Sequence, residues 1–182
     1  MMRLDAARRH LLNVLIAAAA LTASATIAAD DRESGHVPDT LRCHDPYLNR
    51  VIDHGLASSA SLRELVAHLR REPVIIYVRF NDGMLRDTFG RTRLTAVAHG
   101  WRYISIELTP RLIQRDLMTM FGHELQHAVE IADAPEVVDV PSLVAFYRRV
   151  GQVMSSGGRT FETNAAVATE RRVLLELVEN GW

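Results

Sequence analysis

The sequence predicts an α+β domain, on three observations. Apolar residues recur at helical spacing over residues 45–71, β-branched and aromatic runs take over at 74–108, and helical spacing returns from residue 111. That block order, helices then strands then helices, is the mark of an α+β fold. With 48% hydrophobic residues in 182, the chain can bury a real core. Its net charge of −1 gives no reason to expect a nucleic-acid partner, and every basic residue is arginine. The single cysteine, Cys43, has no intramolecular disulfide partner and reads as a small apolar residue.

The elements follow in order. Met1–His10 holds Arg3, Arg8 and Arg9 against one acid, Leu11–Ala20 is apolar, and Ala23-Ser24-Ala25 and Ile27-Ala28-Ala29 both offer small residues for cleavage. This is the layout of a cleaved secretion signal over residues 1–29, which implies a secreted or periplasmic location. The apolar run is too short for a comfortable span, so no stable membrane insertion is expected after cleavage. Residues 30–44, polar with Gly35 and Pro38, read as a flexible mature N-terminus. A first helix is expected over Asp45–Gly55, with Asp45 as cap, Pro46 at its first position and Gly55 at its end. A second, Ser61–Arg71, aligns Leu62, Leu65, Val66 and Leu69 on one face. Ser61 and Glu64 are its expected caps, and Arg63 and His68 point to solvent. Strands are expected at Val74–Phe80, Leu94–Ala98 and Trp101–Leu108, the last two joined by His99-Gly100. Arg111–Ala132, behind Pro110, carries Leu117, Phe121, Leu125, Ala128 and Ala132 on one helix face. A loop at Asp133–Val140, a helix at Pro141–Val150, a flexible Gly151–Gly158 and a helix over Thr160–Asn180, capped by Thr160, complete the chain.

Within the third helix stands His123-Glu124-Leu125-Gln126-His127. Residues four apart lie one turn above each other, so both imidazoles can face one metal ion. Glu124, beside the first histidine, can act as base toward a water at that ion. Two histidines and a glutamate are costly to bury in an apolar helix without a partner, and a metal is the simplest partner.

On His123, Glu124 and His127 the sequence resembles the zincin metallopeptidases, with the resemblance extending over roughly residues 74–170. It implies a zincin-like domain over residues 45–182, with a small sheet of about three strands packed beside the motif helix. Trp101–Leu108 then has the chain position of the edge strand that lines the substrate groove. The third-histidine pattern fails, because Glu130 and Asp133 stand where glycine and histidine would be. The chain is more similar to the gluzincins, in which a glutamate on a later helix completes the site. Phe161-Glu162-Thr163-Asn164-Ala165-Ala166 is the best match, so the resemblance implies zinc held by His123, His127 and Glu162. Ala166 replaces the aspartate that usually orients a ligand histidine, leaving Asn164, Glu130 or a carbonyl for that task. Glu130 is the rival third ligand, with Glu170 and Asp133 behind it.

The implied chemistry is peptide-bond hydrolysis on a peptide or protein substrate, with Glu124 as base and an oxyanion donor beside the zinc. Tyr147 is the expected donor, ahead of Arg148, Arg149, His99 and Tyr103. A catalytically inactive zincin-like module that only binds zinc is the alternative.

Overall fold

The computed structural model describes residues 40–154 and 161–182. The expected signal at 1–29, residues 30–39, part of the expected flexible connection and the Thr160 cap lie outside the described residues. The fold is α+β, with helices α1 (Pro46–Ser58), α2 (Ala60–Leu69), α3 (Gln114–Ala132), α4 (Val140–Val150) and α5 (Asn164–Glu179). The main sheet comprises β1 (Leu41–Cys43), β2 (Val74–Phe80), β3 (Gly90–Ala98) and β4 (Trp101–Leu108) in the order β1-β2-β4-β3. β1 and β4 run parallel to β2, while β3 is antiparallel to β4. A two-stranded ribbon pairs β5 (Gln152–Val153) with β6 (Phe161–Glu162). Among the described residues no helix is long and apolar enough to cross a membrane.

One sheet face is covered by helices. Ile76, Val78, Ile104, Ile106 and Leu108 are buried there with Leu117, Phe121, Leu125 and Ala128 of α3. The alternate residues, Tyr77, Arg79, Ser105, Glu107, Arg91 and Arg93, share the opposite face, as the period of two and the register require. Glu107 is buried among three donors on that face: Arg79, Arg91 and, at 2.9 Å, Asn81 Nδ2.

Several expectations need correction. Residues 41–43, expected inside a flexible N-terminus, form β1, because β2 has an open edge whose groups they can pair. The sheet therefore has four strands rather than three. Trp101–Leu108 is an inner strand, and the edge beside α3 is β3. β3 begins at Gly90, four residues before the apolar run, and carries an irregularity between Leu94 and Ala96. Gly55 does not end α1. It is buried mid-helix, where a Cβ would stand 2.7 Å from Met118 Sδ, so it permits close crossing of α1 and α3. Ser59, rather than Ser61, caps α2 through the Leu62 amide at 3.1 Å. Ser61 instead gives its hydroxyl and amide to Glu176 of α5, at 2.8 and 3.0 Å.

Candidate metal centre

The motif lies on α3, a 19-residue helix sandwiched between the sheet and α5. Gly122 allows α5 to come close, since a Cβ there would stand 2.8 Å from Val173 Cγ2. That approach brings the first turns of α5, and the ribbon before it, against the motif. His123, Glu124 and His127 are each 0% exposed.

The structure brings His123, His127 and Glu162 together. The Nε2 atoms of the two histidines are 3.2 Å apart. Oε1 of Glu162 stands 3.2 Å from Nε2 of His123 and 3.9 Å from Nε2 of His127. Tetrahedral ligands held about 2 Å from an ion stand about 3.3 Å from one another, so this donor set fits zinc. Glu162 was expected to open the last helix, and it does not. It ends β6, two residues before α5, and Thr163 caps that helix through the Ala166 amide at 3.1 Å.

The opposite ring edges are held by carboxylates. Nδ1 of His123 lies 3.0 Å from Oε2 of Glu170, and Nδ1 of His127 lies 2.9 Å from Oε2 of Glu130. In a neutral ring whose Nδ1 proton is given to such a carboxylate, the Nε2 lone pair faces the shared point. Glu130, the rival ligand, is thus on the wrong edge of the imidazole to share that point with Nε2. Its other oxygen accepts from Thr163 Oγ1 at 2.6 Å. Glu170, one helical turn after Ala166 on α5, is the carboxylate that meets the His123 ring. Burial opposes protonation of His123, but hydrogen bonds to Glu162 and Glu170 prevail and raise it to about 9. These carboxylates favour positive charge between the histidines, whether carried by a proton or by a metal ion.

Glu124 faces β3. Its Oε2 accepts from Thr92 Oγ1 at 2.7 Å, and the same hydroxyl reaches the Glu124 carbonyl at 3.0 Å. Oε1 is buried without a hydrogen-bond partner. It lies over Gly90, where a Cβ would come within 2.5 Å of it. Burial raises the Glu124 carboxyl, against the opposing pull of His123 and His127. A buried carboxylate with one fixed oxygen and one free oxygen has the form of a general base.

Tyr147 is brought to the site but not to the position expected of it. Its hydroxyl lies 3.4 Å from Nδ1 of His127 and 3.3 Å from the His127 carbonyl, on the Nδ1 side of the ring. The ring stacks on Phe161 at 5.6 Å and is 0% exposed. Burial, followed by the Glu130 charge, pushes its phenol well above 10, so it remains a neutral support for His127. Of the other expected donors, Arg148 is exposed on α4, Arg149 pairs with Glu136, His99 lies in the β3–β4 turn, and Tyr103 is on the far sheet face. Asp133 caps α3 and pairs with His68. Thr92 and Gly90 were not anticipated. The signal that finds them is alternation, which turns positions 90 and 92 inward once β3 is extended to its true start. Compared with protein-family models, curated proteins and solved structures, the chain matches none of them.

Proposed function

We propose that the chain is a secreted or periplasmic zinc metallopeptidase, a zincin-like domain of gluzincin type that holds zinc through His123, His127 and Glu162. The observation that carries this reading is the triangle of ligand atoms, with sides of 3.2, 3.2 and 3.9 Å, built from side chains on two elements. Zinc in such a site supplies a Lewis acid and lowers the pKa of water toward neutrality. Glu124 takes the proton of the attacking water through its free Oε1 and delivers it to the leaving amine. Thr92 keeps the other oxygen fixed during that exchange. Glu170 and Glu130 hold both imidazoles in the ligating tautomer. β3, the open sheet edge beside α3, offers main-chain groups to an extended peptide, which favours unstructured protein segments as substrate.

Zinc content and hydrolysis test this together. The wild type should lose about one zinc per chain on Glu162→Ala and none on Glu130→Ala. Glu124→Gln should retain the metal and abolish hydrolysis of an unfolded protein such as reduced casein. Equal zinc in the wild type and Glu162→Ala would overturn the reading. The complete burial of His123, Glu124 and His127 favours a second reading, a zinc-binding module without catalysis. That module would show the same metal loss but no hydrolysis dependent on Glu124.

A further inference from the structure

Thr163 stands between the strand that carries Glu162 and the helix that carries Glu170, and it is only 5% exposed. Its amide donates to Oε1 of Glu162, the proposed ligand atom, at 2.9 Å. Its hydroxyl accepts from the Ala166 amide at 3.1 Å and so caps α5. A hydroxyl carries one proton, and an amide N–H can only donate to it. The Thr163 proton is therefore directed to Oε1 of Glu130, at 2.6 Å. The other oxygen of that carboxylate meets Nδ1 of His127 at 2.9 Å.

Capping alone does not require this arrangement. A cap needs an acceptor oxygen, and the proton of the capping hydroxyl can point to water. Here it meets a carboxylate that is 12% exposed and stands three residues after His127 on the same helix. A glutamate side chain has several rotatable bonds, and a charge-assisted hydrogen bond at one oxygen fixes where the other points. Pinning Oε1 of Glu130 aims Oε2 at the Nδ1 edge of His127.

Resting on the zinc reading above, we infer that Thr163 is a positioning residue for His127. Its hydroxyl proton holds Glu130, and Glu130 holds the imidazole whose Nε2 faces His123 and Glu162. The same residue fixes Glu162 through its amide and starts the helix whose Glu170, seven residues on, meets Nδ1 of His123. Ligands supplied by separate elements are thus oriented together.

The test compares the full chain with Thr163→Val, Thr163→Gly and Thr163→Ser. Valine and glycine remove the hydroxyl, glycine remains an accepted cap if the valine variant does not fold, and serine restores the hydroxyl. Zinc affinity, read by competition with a chelating dye, should fall about 10-fold or more without the hydroxyl and return to the wild-type value with serine. Adding Thr163→Gly to Glu130→Ala should cause no further loss, because the hydroxyl acts through that carboxylate. Wild-type affinity in a folded variant without the hydroxyl, or losses that multiply in the double variant, overturns the inference. The His127 ring signals in heteronuclear NMR of the metal-free chain give a readout that capping alone would not move. They should shift in the variants without the hydroxyl and match the wild type in Thr163→Ser; unmoved signals overturn the inference. A wild type that binds no zinc would overturn the zinc reading instead, and the metal-free ring signals would still decide the role of Thr163.

Discussion

Gly90 and Glu124 meet where β3 packs on α3, and the space between them is set by a missing side chain. A Cβ on residue 90 would stand 2.5 Å from Glu124 Oε1 and 2.8 Å from Met120 Cγ, so Gly90→Ala must displace the carboxylate. The proposed zinc ligands His123, His127 and Glu162 are untouched by that change. Zinc stoichiometry should therefore hold while hydrolysis falls about 10- to 100-fold, as misplacement of a reacting group by about an ångström does. A matched loss of zinc would mean that the substitution disturbs the whole helix rather than one side chain. On the other side of the motif, Glu170→Gln leaves every Nε2 ligand in place and weakens only the acceptor at Nδ1 of His123. Zinc affinity, measured by competition with a chelating dye, should drop about 10-fold or more. An unchanged affinity would show that Glu170 does not orient the ring. The motif itself was legible in the sequence because His123 and His127 share a face at a spacing fixed by helix pitch. Thr92 and Gly90 were not, because threonine and glycine in a strand carry no chemical signature until the strand is placed against a helix.

At the scale of elements, α5 has to approach α3 closely enough for Glu170 to reach His123, and Gly122 is what permits it. Gly122→Ala would drive a methyl to within 2.8 Å of Val173 Cγ2 and 3.2 Å of Leu62 Cδ2. Overpacking of this kind costs about 1–3 kcal/mol, to be read as a lower urea midpoint with an unchanged slope. Full stability in the variant would show that α5 can shift without strain. Most elements were legible from periodicity: α2, β2, β4 and α3 each present an unbroken apolar face. β3 was read four residues short because its first half turns Gly90 and Thr92 inward and Arg91 and Arg93 outward. Those inward residues are small or polar because they border Glu124 rather than the apolar core, so the surroundings of the motif erased the pattern that marks a strand. The end of α1 was misread for a related reason. Gly55 looks like a stop signal, but here it is a close-packing position. β1 and the β5–β6 ribbon are too short to show any period.

At the scale of the whole molecule, strand order was not legible, since the parallel pairing of β1, β2 and β4 depends on contacts far apart in sequence. One group on the outer sheet face ties that order together. Glu107 of β4 accepts from Arg79 of β2, from Arg91 of β3 and from Asn81 beyond β2. Burial opposes its ionisation, yet the hydrogen bonds from Arg91, Asn81 and Arg79 outweigh this and hold the carboxyl at about 2, below its ordinary 4.5. A carboxyl depressed in the folded state adds stability that is complete above its unfolded value and is lost as pH falls through its folded value. The window is therefore about pH 4.5 down to about 2. A depression of that size is worth at most about 3 kcal/mol, reduced by solvent screening because Arg79 is 66% exposed. Glu107→Gln removes the charge and leaves the arginines facing a neutral amide. Its stability at pH 7 should fall by about 2–3 kcal/mol, and the gap from the wild type should narrow as the pH is lowered from 4.5 toward 2. Urea unfolding of both proteins across that range measures the gap directly. A gap that stays constant with pH would mean that packing around Glu107, rather than its charge, holds the three strands in register.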